Sequence, residues 1–144
     1  MALTEELNKR LIKNVDVFKA LCDEDLNALT SAACELYLTP LEYVFQQNDG
    51  ADAFYIIKAG VVRILRGSRV MAQLSEGEIF GEMGVLDEKP RAASAQAASN
   101  LVLLSISKND LLSIIGERKS VEMKIRRKIL ERHTANIAKT FHHS

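Results

Sequence analysis

No stretch of this chain holds the roughly 18–20 consecutive apolar residues that a membrane-spanning helix needs. The N-terminal segment MALTEELNKRLIKN carries charge throughout and has no apolar core, which argues against a secretory leader. Cysteine is scarce: Cys22 and Cys34 are the two in 144 residues. With no secretion signal, they read as buried reduced thiols of a cytoplasmic protein rather than as a disulfide framework. Proline also numbers two, and there is no proline-rich linker, internal repeat or low-complexity tract. One domain over residues 1–144 is therefore expected, with 47% hydrophobic residues to supply its core. That fraction, beside ordinary charge content, excludes a disordered chain.

Net charge is zero yet unevenly spread. Glu117–Lys139 holds eight basic and three acidic residues, a local +5, so the remainder carries −5. A basic C-terminal helix could touch nucleic acid or acidic lipid, but a solvated helix face explains the charge as well.

Three zones follow one another. Up to Leu36 the pattern is helical: Leu7, Leu11, Val15 and Phe18 recur at steps of three and four, as do Leu26, Leu29, Ala33 and Leu36. Asp23 stands where a cap of the second helix would, followed by an acidic first turn that suits the helix dipole. Residues 37–106 read as short strands rich in β-branched and aromatic residues, among them Tyr43–Phe45, Phe54–Ile57 and Val61–Leu65. Turn signals Asn48-Asp49-Gly50 and Ala59-Gly60 separate them, and Arg66-Gly67-Ser68-Arg69 reads as a hairpin tip. Residues 107–144 return to helix, with Ser107 as cap and Gly116 as stop. A longer helix then places Val121, Ile125, Ile129, Arg132 and Asn136 along one side. Many short strands at regular spacing predict a roll or sandwich of antiparallel sheets, mainly β with flanking helices.

Within the strand zone, residues 80–97 (FGEMGVLDEKPRAASAQA) carry chemistry. Gly81 allows close backbone approach, and the short helix-prone stretch from Glu82 to Leu86 would present unpaired amides, a setting for an anion. Arg91, after Pro90 and before two alanines, is expected to be partly buried, and a buried guanidinium calls for an anionic partner. Glu82 adds an acceptor for hydroxyl groups. The set suits a ligand with one phosphate and one free hydroxyl.

This segment resembles the phosphate-binding cassette of the cyclic-nucleotide-binding domain family. That family includes regulatory subunits of the cAMP-dependent protein kinase, cyclic-nucleotide-gated channels and catabolite-activator-type proteins. Leu11–Phe18, Leu21–Leu29, Gln47–Gly50, Phe54–Gly60 and Leu74–Gly81 also fall in the family's order. The resemblance implies an antiparallel, jelly-roll-like β-roll flanked by N-terminal helices and a C-terminal helical lid. It implies that Glu82 accepts from the ribose 2′-hydroxyl and that Arg91 pairs with the exocyclic phosphate oxygens. Amides near Gly81, Met83, Gly84 and Ala92 would complete the cradle. Ile64, Ala72 and Leu74 would line the base pocket, with Arg132, alone or with Asn136 or Ile137, closing over it.

Family members that prefer cGMP commonly place threonine after the arginine. Ala92 stands there, which favours cAMP over cGMP as ligand; no other cofactor is implied. Glycine is usual in the family where Leu41 and Asn48 stand, and Leu41 suggests a different turn before the second strand.

A ligand-responsive regulatory module acting on an unidentified protein effector is thus expected, with the long last helix as a possible dimer seam. Two alternatives stand beside it: a nucleotide-independent interaction scaffold, and the sensor half of a transcription regulator. As given, the chain holds no helix-turn-helix segment after the long helix. A metal-dependent enzyme on a β-roll would need histidines projecting from strands. His133, His142 and His143 all lie in or after the last helix, so no enzyme is expected.

Overall fold

The computed structural model describes residues 2–82, 89–116 and 118–142, with backbone alone for residues 2 and 132–142. Helix α1 (Ala2–Lys13), a 3-10 turn (Asp16–Phe18) and α2 (Asp23–Ala32) lead into the strands. These are β1 (Cys34–Leu38), β2 (Tyr43–Phe45), β3 (Ala53–Ala59), β4 (Val62–Arg66), β5 (Arg69–Leu74), β6 (Ile79–Phe80), β7 (Ser94–Ala97) and β8 (Leu101–Ser107). Helices α3 (Lys108–Ile115) and α4 (Lys119–His142) follow. The strands form two four-stranded sheets, ordered β1-β8-β3-β6 and β2-β7-β4-β5. Every pairing is antiparallel, and the sheets do not close into a barrel.

Strand β3 explains how the layers meet. Its apolar run lacks the polar alternation of a half-exposed strand because both faces are covered. Phe54 and Ile56 face the helices, packed with Ile12, Phe18, Leu29 and Ile125. Tyr55 and Ile57 face the other way, into a core between the sheets with Val62, Phe80, Ala95 and Leu103. The Gly67-Ser68 tip joins β4 to β5, with Gly67 at φ 62° as so tight a connection requires. Ser107 caps α3 by accepting from the Asp110 amide at 3.0 Å.

Several expectations are corrected. Helix does not continue to Leu36: Ala33 is extended, and β1 pairs with β8 from Cys34↔Ser105 to Leu38↔Leu101. Non-local pairing overrides the three- and four-residue spacing there, which cannot report a sheet partner. In α1, Leu7 is 47% exposed while Ile12 is fully buried, so the inward face is rotated from the one the leucines suggest. Cys22, not Asp23, occupies the cap position of α2; Asp23 instead meets Lys9 of α1 at 2.6 Å. Both cysteines are exposed and unpaired, because they fall at the cap of α2 and the start of edge strand β1 rather than in a packed face. The turn before β2 also differs from expectation: Leu41 adopts φ 77°, a left-handed backbone that a glycine would take.

Candidate functional site

The Arg91 side chain is 4% exposed, deeper than the sequence suggests. Its backbone is fixed first. The Arg91 amide donates to the Asp49 carbonyl and its carbonyl accepts from the Asn48 amide, both at 2.8 Å. Asn48 reaches this position with φ 75°, and the Asp49 carboxylate accepts from the Gln46 amide at 2.8 Å, so the β2–β3 turn clamps the arginine. The guanidinium then turns inward. One terminal nitrogen donates to the Gly81 carbonyl and the other to the Ala53 carbonyl. The Phe45 ring lies against it, with the centroid 4.0 Å from the guanidinium carbon, and the Tyr55 ring is 6.0 Å away. Among the described residues no carboxylate forms an ion pair with Arg91. Its Nε is buried without a hydrogen-bond partner. Burial lowers the Arg91 pKa from its ordinary value, against which Tyr55, Asp52 and Glu82 act. Burial likewise raises that of Tyr55.

Gly81 makes room for this arrangement. At φ 81°, a Cβ on it would lie 2.9 Å from Arg91 Nη1 and 3.3 Å from the Phe45 ring. Glu82 is 7% exposed and lines an apolar cavity with Phe18, Phe54, Leu111, Ile125 and Ile129. It therefore stands where the roll meets the helices, and its charge acts to raise the Arg91 pKa against burial. Met83 and Gly84 lie outside the described residues, and so does the Arg132 side chain.

The three positions expected to line a base pocket lie on neighbouring strands. Ile64 pairs with Ala72 across β4 and β5, and Leu74 pairs with Val62, so Ile64, Ala72 and Leu74 share one sheet face. Ile64 and Leu74 pack on the inter-sheet core, while Ala72 is exposed. Ala92 is exposed beside Arg91. Sequence reasoning missed Phe45, Tyr55 and the Ala53 carbonyl. No local signal marks them, because their roles arise from strand register. No group of three or more metal-ligating side chains occurs among the described residues.

The roll thus presents a desolvated cation with an unused donor, a left-handed glycine and, next to that glycine in sequence, a buried carboxylate. A family model described as cyclic nucleotide-binding domain matches residues 35–118, more than half of the chain. The chain belongs to the cyclic nucleotide-binding domain family. It is 30% identical over 115 residues to the cAMP-dependent protein kinase type II regulatory subunit of Drosophila melanogaster, covering 78% of this chain and 30% of that protein. The cGMP-dependent protein kinase of Toxoplasma gondii is 28% identical over 114 residues, covering 79% of this chain and 12% of that protein. The chain thus spans less than a third of either relative. In structure it is similar to the N-terminal domain of a transcriptional regulator from Streptomyces coelicolor A3(2), with TM-score 0.74 and 25% identity over 87% of this chain and 93% of that one. No helix among the described residues is long and apolar enough to cross a membrane.

Proposed function

We propose that this domain binds a cyclic mononucleotide, cAMP in preference to cGMP, and acts as a ligand-responsive regulatory module without catalytic chemistry of its own. Arg91 pairs with the exocyclic phosphate oxygens, and Glu82 accepts from the ribose 2′-hydroxyl. Backbone amides near Gly81, Met83, Gly84 and Ala92 complete the cradle. Ile64, Ala72 and Leu74 lie against the base, and Arg132 on α4 closes over it. Ala92 supports cAMP because its methyl group offers nothing to the guanine amino group.

One observation carries this reading: the unpartnered Nε of the buried Arg91 guanidinium. A buried donor without an acceptor costs free energy, and a phosphate that accepts from it removes that cost with a charge-assisted bond. Ligand binding drives an output only through unequal affinity for two arrangements of the chain. Glu82 beside Ile125 and Ile129 of α4 supplies a route from ligand to helix.

Calorimetric titration with cAMP and cGMP tests the proposal, with saturable binding expected for both and the tighter for cAMP. Arg91→Ala is expected to weaken cAMP by about 2–5 kcal/mol, roughly thirtyfold to several thousandfold. Arg91→Lys, which keeps the charge and loses the bidentate fork, is expected to fall between. Absence of binding by a folded wild-type protein, checked by its thermal transition, overturns the reading.

A further inference from the structure

We infer that Phe45 is a positioning residue for anion capture: its ring holds the Arg91 guanidinium in place while leaving its Nε donor unoccupied. The inference rests on the cyclic-nucleotide reading and assigns a role to a side chain outside the proposed contacts.

The aim of Phe45 comes from a backbone irregularity. Tyr43 pairs with Gln96 and Phe45 with Ala95, so β2 advances two residues while β7 advances one. Such a bulge redirects side chains that plain alternation would place on one face. Tyr43 is left 47% exposed, whereas Phe45 packs on the inter-sheet core near Tyr55 and Phe80, at centroid distances of 6.0 and 6.1 Å. Its ring face then lies 4.0 Å from the guanidinium carbon.

A buried cation needs compensation even when no ligand is bound. A carboxylate could provide it, but it would accept from the same N–H groups that a phosphate requires and would compete with the ligand. An aromatic ring attracts the cation through its quadrupole and accepts none of its in-plane donors. The Gly81 and Ala53 carbonyls each take one terminal nitrogen and fix the plane of the fork. What remains is the edge containing Nε, which is buried and without a partner. Gly81 lies close to both groups: a Cβ there would meet Arg91 Nη1 at 2.9 Å and the Phe45 ring at 3.3 Å. The resting site therefore holds a desolvated cation whose Nε–H still lacks an acceptor that an anionic oxygen can supply.

Phe45→Leu keeps an apolar side chain and removes the ring; Phe45→Tyr keeps the ring. Titration with cAMP is expected to show Phe45→Leu weakened by about threefold to thirtyfold and Phe45→Tyr near wild type. In an Arg91→Ala background the same Phe45→Leu change is expected to cause no further loss, since its target is gone. A ligand-free readout accompanies this: the Arg91 Nε–H resonance should be shifted by the ring current and slow to exchange in wild type and Phe45→Tyr. In Phe45→Leu it should move towards the position and exchange rate of exposed arginines. Equal affinity of Phe45→Leu and wild type, or an equal loss with and without Arg91, overturns the positioning role. If the wild type binds neither cAMP nor cGMP, the nucleotide reading fails, and the resonance still decides whether Phe45 holds Arg91.

Discussion

Leu41 and Asn48 hold φ of 77° and 75°, where a side chain crowds its own backbone. Surrounding hydrogen bonds keep both there. The Leu41 amide donates to the Ala97 carbonyl at 2.8 Å, and its carbonyl accepts from Gln96 Nε2 at 3.0 Å. Asn48 tolerates the conformation through its short polar side chain and gains the contact with Arg91. Leucine has no such compensation, and its side chain is 66% exposed, so little packing depends on it. Leu41→Gly is accordingly expected to raise unfolding free energy by about 0.5–1.5 kcal/mol, the relief of strain exceeding the added flexibility of the unfolded chain. Urea unfolding of the two proteins measures this, and a lower midpoint for the glycine variant would refute it.

Helices α2, α3 and α4 meet at Arg118, just after the left-handed Gly116 that ends α3. Its guanidinium reaches both Asp25 carboxylate oxygens at 2.9 Å, and its Nε and Nη2 donate to the Ile115 and Ile114 carbonyls. One side chain thus caps the C-terminus of α3 and ties it to the first turn of α2. The Arg118 hydrogen bond holds the Asp25 carboxyl below its ordinary value of 3.8, against the opposing effect of burial. A carboxyl with a lowered folded pKa contributes stability above its unfolded value, and that contribution is lost as pH falls through the folded value. Asp25→Asn should therefore unfold more easily than wild type at neutral pH. The gap should narrow below pH 3.8 as wild-type Asp25 protonates. Denaturant midpoints across that range provide the check. Screening at the half-exposed Arg118 end limits the size of the gap, and added salt should reduce it further.

The whole molecule is organised by a sheet covered on both faces. Its β3 strand contributes Phe54 and Ile56 to a core shared with the helices, and Tyr55 and Ile57 to a core shared with the second sheet. α4 joins the first core through Ile125, fully buried, and Ile129. Among the described residues, the partly buried Val121 packs beside them on the same core. Ile125→Ala is expected to cost about 2–5 kcal/mol of local packing. Amide exchange should rise along α4 while β3 and β8 stay protected. Uniform loss of protection across the sheets would show instead that helix and roll unfold as one unit.

Much of this was legible in the sequence because it depends on neighbours a few positions away. The Ser107 cap, the Gly116 stop, the Gly67-Ser68 tip and the three zones follow from local propensity and hydrophobic spacing. Gly81, Glu82 and Arg91 could be picked out because they crowd one short segment whose order resembles a family cassette. Spacing misled where a distant partner decided the outcome, as when Cys34–Leu38 became an edge strand on β8 and the two thiols reached the surface. The inward turn of Arg91 onto the Ala53 carbonyl and the Phe45 ring depended on tertiary structure alone. A side chain's direction is set by which strands lie beside it and in what register, and no local pattern carries that information.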